Sequence, residues 1–373
     1  MHFLDWKEIR RRLARADYIL LFFAVVLLVV GCLTIYSTGQ QAGQAFADYW
    51  LRQLAWAGLG LICLFVIALL PQELIGRWVW LFYMFSLALL VLVLLAGRTI
   101  NHSKSWLPLF GVTLQPAELA KPAALAFLAW AASRPNLRLS RIQNLIPISL
   151  IVLVPMALIV MQPDWGTALV FVVMATLVIF CAGLSWKWIV AATVLAIVTA
   201  PLGYAYVLKP HQRARINTFL MPSRDISDTG WNAHQSLLAV GSGGLTGKGF
   251  MKGTQHVLGY LPRTVAPTDF IFSVIAEESG FVGAALVVLT FAGIILRCLR
   301  TAALAANDFG AYLCIGVASL FFTHAYINIG MTIQAAPIIG IPLPLVSYGG
   351  SFMLSCMICL GLVQNIYIRQ PRG

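Results

Sequence analysis

Apolar residues in this chain come in long runs, without the strict alternation of a half-buried strand. The runs are close to 20 residues, the length that crosses a hydrocarbon core as a helix, and short polar joints separate most of them. They predict helices over Tyr18–Ser37, Trp50–Leu70, Gly76–Ala96, Gln115–Ser133 and Leu145–Met161. The series continues with Trp165–Gly183, Lys187–Val207, Thr268–Leu296, Ala311–Gln334 and Tyr348–Tyr367. The expected fold class is therefore all-α and polytopic, about ten transmembrane helices in a single domain over residues 1–373. One joint differs. Between the seventh and eighth helices lies a polar stretch over 208–267, and a loop that long is usually functional. Within it, the mixed polarity of Trp231–Val240 predicts short helices along the membrane surface.

Composition agrees with the pattern. Hydrophobic residues make up 60% of the chain and charged residues 10%, against about 25% charged in a soluble domain. The net charge of +12 sits in the joints. That placement argues for membrane topology and against nucleic acid as a partner. Lys7, Arg10, Arg11, Arg12 and Arg15 precede the first helix. Counting alternately, Arg77, then Arg134, Arg138 and Arg141, then Lys187, then Arg297 and Arg300, and finally Arg369 and Arg372 fall on the same side. The bias toward lysine and arginine places that side in the cytoplasm, N-in and C-in, with 208–267 outside. Arg98 and Lys104 are mild exceptions, and long loops cross regardless of charge. The first apolar run is too long for a cleaved signal and has no small-residue cleavage site. The seven cysteines, in or beside apolar runs, lack metal-ligand or disulfide spacing and read as small core residues.

Several polar constellations interrupt the apolar pattern. Gln115-Pro116-Ala117-Glu118-Leu119-Ala120-Lys121 opens the fourth helix, and Glu118 and Lys121 share a face at i,i+3. They read either as a salt bridge fixing the helix start or as charge aimed at a cavity, since Lys121 lies several residues into the span. Asp164, in Gln162-Pro163-Asp164-Trp165-Gly166-Thr167, is a helix cap or a third polar group on the same outer side. In Thr268-Asp269-Phe270, either polar residue could cap the eighth helix. A carboxylate there would also sit where a lipid-linked headgroup arrives, its pKa raised toward that of a general base by partial desolvation. Glu277 and Glu278 follow about 12–14 Å deeper and are expected to pair with buried lysine or arginine. Gly241–Gly249 fails as a nucleotide loop, because Ser242 occupies the first glycine position and Gly249 follows Lys248 where Ser or Thr is needed. Its backbone N–H groups beside Lys248 could cradle a diphosphate, or the stretch could be a flexible surface turn. Pro342–Ser351, with two prolines and Gly349-Gly350, reads as a helix-breaking re-entrant segment, tolerated only where it lines a cavity or packs within protein. His234, His256 and His324 are scattered and are not read as metal ligands.

Taken together, these residues resemble the SEDS family of cell-wall glycosyltransferases. The resemblance runs through QPAELAK at Gln115–Lys121, QPDWGTAL at Gln162–Leu169, the Arg213/Arg215 segment, and HQSLLAVGSGGLTGKG at His234–Gly249. It continues in TDFIFSVIAEE at Thr268–Glu278 and PLPLVSYGGS at Pro342–Ser351. It implies a ten-helix fold that polymerises lipid II into glycan strands and releases undecaprenyl diphosphate. Asp269 matches the family's essential aspartate, and Glu118, Lys121 and Asp164 match polar positions of its outer cavity. Cations for the diphosphate would be Lys121, Arg213, Arg215 and Lys248, with Mg²⁺ or Mn²⁺ as a possible divalent cofactor. The segment Pro262–Pro267 departs from relatives that carry Pro-Glu-Arg-His before the TDF motif, so no loop acid or histidine transfers there. The short N-terminus and the PLPLVSYGGS wording lean to the elongation branch over the division and sporulation branches. Implied partners are lipid II, the undecaprenyl-linked glycan, a class B penicillin-binding protein and other elongation-complex membrane proteins, at the bacterial cytoplasmic membrane with a periplasmic active site. The rivals are a lipid II flippase and a scaffold that only recruits other enzymes.

Overall fold

The computed structural model describes residues 6–41, 46–100, 103–109, 112–135, 137, 139, 142–221 and 228–371. Arg138, Arg141 and Arg372, counted above among the loop charges, lie outside the described residues. The chain opens with a short helix α1 (Trp6–Leu13), followed by α2 (Tyr18–Gln41), α3 (Tyr49–Leu69) and α4 (Gln72–Ala96). A small antiparallel sheet comes next, β1 (Arg98–Ile100), β2 (Ser103–Leu109) and β3 (Val112–Leu114), in that spatial order. Then follow α5 (Pro116–Ala132), α6 (Ile142–Met161), α7 (Trp165–Cys181) and α8 (Trp186–Leu202), which runs into a π turn over Gly203–Val207. The long joint holds α9 (Pro210–Leu220), α10 (Asp228–Ser242) and α11 (Thr254–Val257), before α12 (Ile271–Ala303), α13 (Asp308–Thr332) and α14 (Gly350–Ile368) close the chain.

Eight of these helices are long and apolar enough to cross a membrane: α2, α3, α4, α6, α8, α12, α13 and α14. The sixth predicted run forms the shorter apolar α7, and the fourth forms α5, also of 17 residues. The bundle has a centre. Within the spanning windows, 83% of α14 and 78% of α13 is buried, against none of α8. Between them lies α5, whose inward positions are mostly alanine; small side chains let helices approach closely where lipid offers no hydrophobic drive for association. A Cβ on Gly316 of α13 would stand 2.0 Å from Leu125 of α5, and one on Gly361 of α14 would meet the Leu64 carbonyl of α3 at 2.9 Å.

Helix α1 and the C-terminal end of α14 lie at one end of the bundle. Arg12 donates to the Leu69 carbonyl at 2.8 Å, Arg369 donates to the Leu70 carbonyl, and Asp17 pairs with Arg297 Nη2 at 2.7 Å. The opposite end carries the sheet, α9–α11 and the non-helical segment 337–349.

Helix α1 was not predicted from the runs, and two further elements differ from expectation. The sheet at 98–114 was not predicted; its Lys104 donates to the Leu94 carbonyl at 2.7 Å, closing the end of α4 and accounting for one cation on the outer side. The predicted eighth helix, Thr268–Leu296, is observed as Ile271–Ala303 with a break at Gly280 (φ 65, ψ −162). A break strands backbone groups that a membrane cannot satisfy. The glycine-rich segment repairs it: the N–H groups of Lys248 and Gly249 donate to the Glu277 and Glu278 carbonyls at 3.0 and 2.9 Å. In return, Phe281 and Val282 donate to the Gly244 and Leu245 carbonyls at 2.8 and 3.1 Å. This stretch is neither a flexible turn nor an open phosphate cradle beside Lys248, because the Lys248 and Gly249 N–H groups are spent on α12 and that of Gly247 on Gly243.

Candidate functional site

Asp269 lies one residue before Phe270, the N-cap of α12, and no side chain caps that helix. The plain capping role is therefore not the one Asp269 plays. Its backbone carbonyl accepts from Asn328 Nδ2 at 2.9 Å, and the same amide donates to the Ile341 carbonyl at 2.7 Å. Next to it, Ser347 Oγ donates to the Thr268 carbonyl at 2.6 Å and Tyr348 N to the Pro267 carbonyl at 2.9 Å. Gln53 of α3 holds the far side of the segment, donating to the Ser347 carbonyl at 3.0 Å. The residues around Pro342–Ser351 thus pack non-helically within protein, as their prolines predicted, with Leu343, Leu345 and Val346 buried. They hold the entry to α12 rigidly.

The Asp269 carboxylate faces Gly340. A Cβ at Gly340 (φ 75) would stand 3.3 Å from Asp269 Oδ2 and 4.0 Å from Arg215 Nη1, so a glycine here leaves room where the two charges meet. Arg215, on α9, also donates to the Ile339 carbonyl at 3.3 Å. Burial pushes the Asp269 carboxyl from 3.8 up to about 6; Arg215 opposes that rise and Asp164 adds to it. A half-buried acid poised near neutrality beside a cation has the protonation chemistry of a general base.

Asp164 caps α7, accepting from Thr167 N at 3.1 Å and Thr167 Oγ1 at 3.0 Å. It also accepts from Gln115 Nε2 at 3.1 Å, which ties the start of α7 to that of α5. Glu118 and Lys121 form a fully buried pair at 2.6 Å. Lys121 Nζ further lies 3.0 Å from His324 Nε2, whose Nδ1 is 3.0 Å from the Pro342 carbonyl, and 4.9 Å from the Phe352 ring centre. The ammonium is 0% exposed and saturated by these neighbours. It ties α5 to α13 and to the segment behind Asp269, and it does not line an open surface.

Two expected phosphate ligands are placed elsewhere. Arg213 turns back on its own approach, donating to the Leu208 and Ala205 carbonyls at 2.9 and 2.7 Å, with Tyr204 beneath it. Its charge closes the end of the α8 π turn. Lys248 pairs with Glu277 at 2.6 Å, further along α12. Glu277 also accepts from Thr254 N and Oγ1, both at 2.8 Å. Glu278 accepts from Ser37 Oγ at 2.5 Å and Met251 N at 3.1 Å. His256 lies between the two acids, 3.8 Å from Glu277 and 3.3 Å from Glu278. Glu277 therefore has the lysine partner expected of it, whereas Glu278 is met by a serine, a backbone N–H and a histidine.

Sequence reasoning missed His324, Asn328 and Gln115 as members of the site. His324 and Asn328 are polar residues at i,i+4 inside an apolar run, which puts them on one inward face; that spacing was the available signal. Gln115 carries no such mark.

Comparison with known proteins follows the same residues. The family model for FtsW, RodA and SpoVE, described as cell cycle protein, matches residues 15–371. The peptidoglycan glycosyltransferase MrdB of Escherichia coli K12 is 35% identical over 356 residues, covering 94% of this chain and 93% of that protein. The peptidoglycan glycosyltransferase RodA of Treponema pallidum is 30% identical, covering 95% and 98%. Among solved structures, a chain of a peptidoglycan synthase complex that coordinates polymerisation and crosslinking superposes with TM-score 0.79 at 29% identity, covering 94% and 97%. The crystal structure of the Thermus thermophilus rod shape determining protein RodA superposes with TM-score 0.71 at 26% identity, covering 96% and 98%. An end-to-end sequence match, the shared fold and the ordered motifs around Asp269 have one common explanation: this chain belongs to the FtsW/RodA/SpoVE family, the SEDS glycosyltransferases.

Proposed function

We propose that this protein is a peptidoglycan glycosyltransferase of the elongation branch, which polymerises lipid II at the outer face of the bacterial cytoplasmic membrane. One observation carries the reading: the Asp269 carboxylate, raised to about 6, faces Arg215 across Gly340 at the outer end of the bundle. In the reaction, the 4-hydroxyl of the terminal GlcNAc on an incoming lipid II attacks C1 of the MurNAc at the reducing end of the strand. Asp269 takes the hydroxyl proton. The C1–O bond to the diphosphate breaks with inversion, and its electron pair leaves on undecaprenyl diphosphate. Arg215 is the exposed-side cation available to that developing charge. Glu118, Lys121, His324 and Asn328 act one layer behind, fixing α5, α13 and the 337–349 segment on which the site is built.

A divalent cation fits only in part. Among the described residues, no group of three His, Cys, Asp or Glu side chains is placed to hold a metal ion, so the protein alone forms no cage. Mg²⁺ commonly takes one or two carboxylates and completes its shell with substrate phosphates. Asp164 and Asp269 are the residues that would hold Mg²⁺ or Mn²⁺, which would supply charge neutralisation to the diphosphate.

The likeness to a chain of a complex that coordinates polymerisation and crosslinking supports a class B penicillin-binding protein as partner. The arginine and lysine bias of the joints supports the N-in, C-in orientation. The test is reconstitution with the transpeptidase partner and lipid II. Wild type should yield glycan polymer, and Asp269→Asn none, with the bundle still folded. Full polymerisation by Asp269→Asn removes Asp269 from the mechanism. Lipid II transfer across the bilayer with no polymer by wild type would sink the whole reading.

A further inference from the structure

Helix α1 takes no part in the site around Asp269. Its sequence, WKEIRRRL, places Trp6, Ile9 and Leu13 on one face at i, i+3 and i+7, with Lys7 and Arg11 at i,i+4 on the other and Arg10 at the border. From Trp6 to Arg15 there are five basic residues and one acid. None of the α1 residues is buried, and Trp6 is 74% exposed. The helix meets the bundle through Arg12, which donates to the Leu69 carbonyl at 2.8 Å and pairs with Glu8. Among the described residues, no carboxylate pairs with Lys7, Arg10 or Arg11.

Its position is set by its neighbours. Only residues 14–17 separate α1 from Tyr18, the first residue of a membrane-crossing helix, and Tyr18 Oη donates back to the Leu13 carbonyl at 2.9 Å. Asp17, buried and paired with Arg297 Nη2 at 2.7 Å, locks the hinge to α12. The helix is thereby held where the hydrocarbon begins, at the end of the bundle shared with the C-terminal end of α14. A short helix with an apolar stripe ending in tryptophan and a cationic opposite side is the pattern that lies in a membrane interface.

We propose that α1 is a docking surface for anionic glycerophospholipid headgroups of the leaflet at the terminal end of the bundle. Trp6, Ile9 and Leu13 enter the headgroup–acyl boundary, and Lys7, Arg10 and Arg11 take the lipid phosphates. Charge complementarity selects this occupant: the free groups are all cations, and a leaflet rich in anionic lipid attracts such clusters.

The experiment uses the full chain in lipid nanodiscs, either pure phosphatidylcholine or with roughly one third phosphatidylglycerol. Hydrogen exchange of residues 6–15 should be at least about tenfold slower in the phosphatidylglycerol discs, and high salt should remove the difference. The triple variant Lys7→Gln/Arg10→Gln/Arg11→Gln should lose the protection while α14 exchanges as in wild type. Equal exchange in both lipids overturns the proposal. So does salt-independent protection that the triple variant keeps, since α1 would then dock by apolar contact alone. Protection that appears in phosphatidylcholine discs only on adding an acidic protein fraction would assign the surface to a protein and overturn it as well.

Discussion

Replacing Arg215 by Gln tests the electrostatics of the site directly. The guanidinium opposes the rise in the Asp269 pKa, so its removal should carry the carboxyl above about 6. The magnitude follows from the geometry at Gly340. Asp269 Oδ2 and Arg215 Nη1 stand 3.3 and 4.0 Å from one point, which keeps the two charged atoms within about 7 Å of each other. A charge pair at that separation is worth about 0.6 kcal/mol in a water-like medium and about 2.4 kcal/mol at an effective dielectric near 20. Arg215 is only half-buried, so an intermediate shift of about one pKa unit is expected. If Asp269 must be ionised to accept the sugar proton, the acid limb of kcat/KM moves up by about one unit. Near pH 6 the variant then loses a further roughly fivefold beyond its loss at pH 8.5, where only the diphosphate contact is missing. The assay is lipid II polymerisation by the reconstituted complex from pH 5 to 9, with Arg215→Lys as the charge-retaining control. An acid limb that stays in place, or moves down, refutes the coupling of Arg215 to Asp269.

Three further outcomes follow from other parts of the structure. Glu118→Gln leaves the buried Lys121 ammonium without its counter-ion and should destabilise the bundle by about 3–5 kcal/mol; adding Lys121→Met should recover much of that loss in a thermal unfolding series, and a double variant worse than the single would contradict it. Gly247→Ala would drive a Cβ to 2.1 Å from the Glu278 carbonyl, whereas Gly244→Ala, also at positive φ, meets open space; the first should cost at least about 2 kcal/mol more than the second, and equal melting temperatures would refute the loop's role in mending α12. Burial works against the His256 imidazolium, but Glu277 and Glu278 outweigh it and hold its pKa above 6.5. That stabilisation is complete below pH 6.5 and is lost as pH rises through the folded-state pKa, so the melting temperature should fall on the alkaline side and His256→Gln should flatten the fall.

The ten apolar runs were enough to place ten helices, because a membrane demands that each crossing satisfy its own backbone and show lipid-compatible side chains along about 20 residues. Those demands are local, so they are written in consecutive residues. The same holds for Asp164 as a cap, for the i,i+3 pair of Glu118 and Lys121, and for the prolines that keep 337–349 non-helical. What the chain alone left open was which polar groups meet. Lys121 and Lys248 look alike as basic residues on the outer side. Folding buries one against Glu118 and His324 and spends the other on Glu277, while Arg215 alone among the expected cations arrives beside Asp269. Arg213, two positions away, points back to the π turn before its helix. The break at Gly280 was equally invisible, since its cost is repaired by a loop about 30 residues earlier. Pairings of this kind depend on distances between helices far apart in the chain. In lipid those helices pack through small residues and polar contacts, which leave no periodic signature to read.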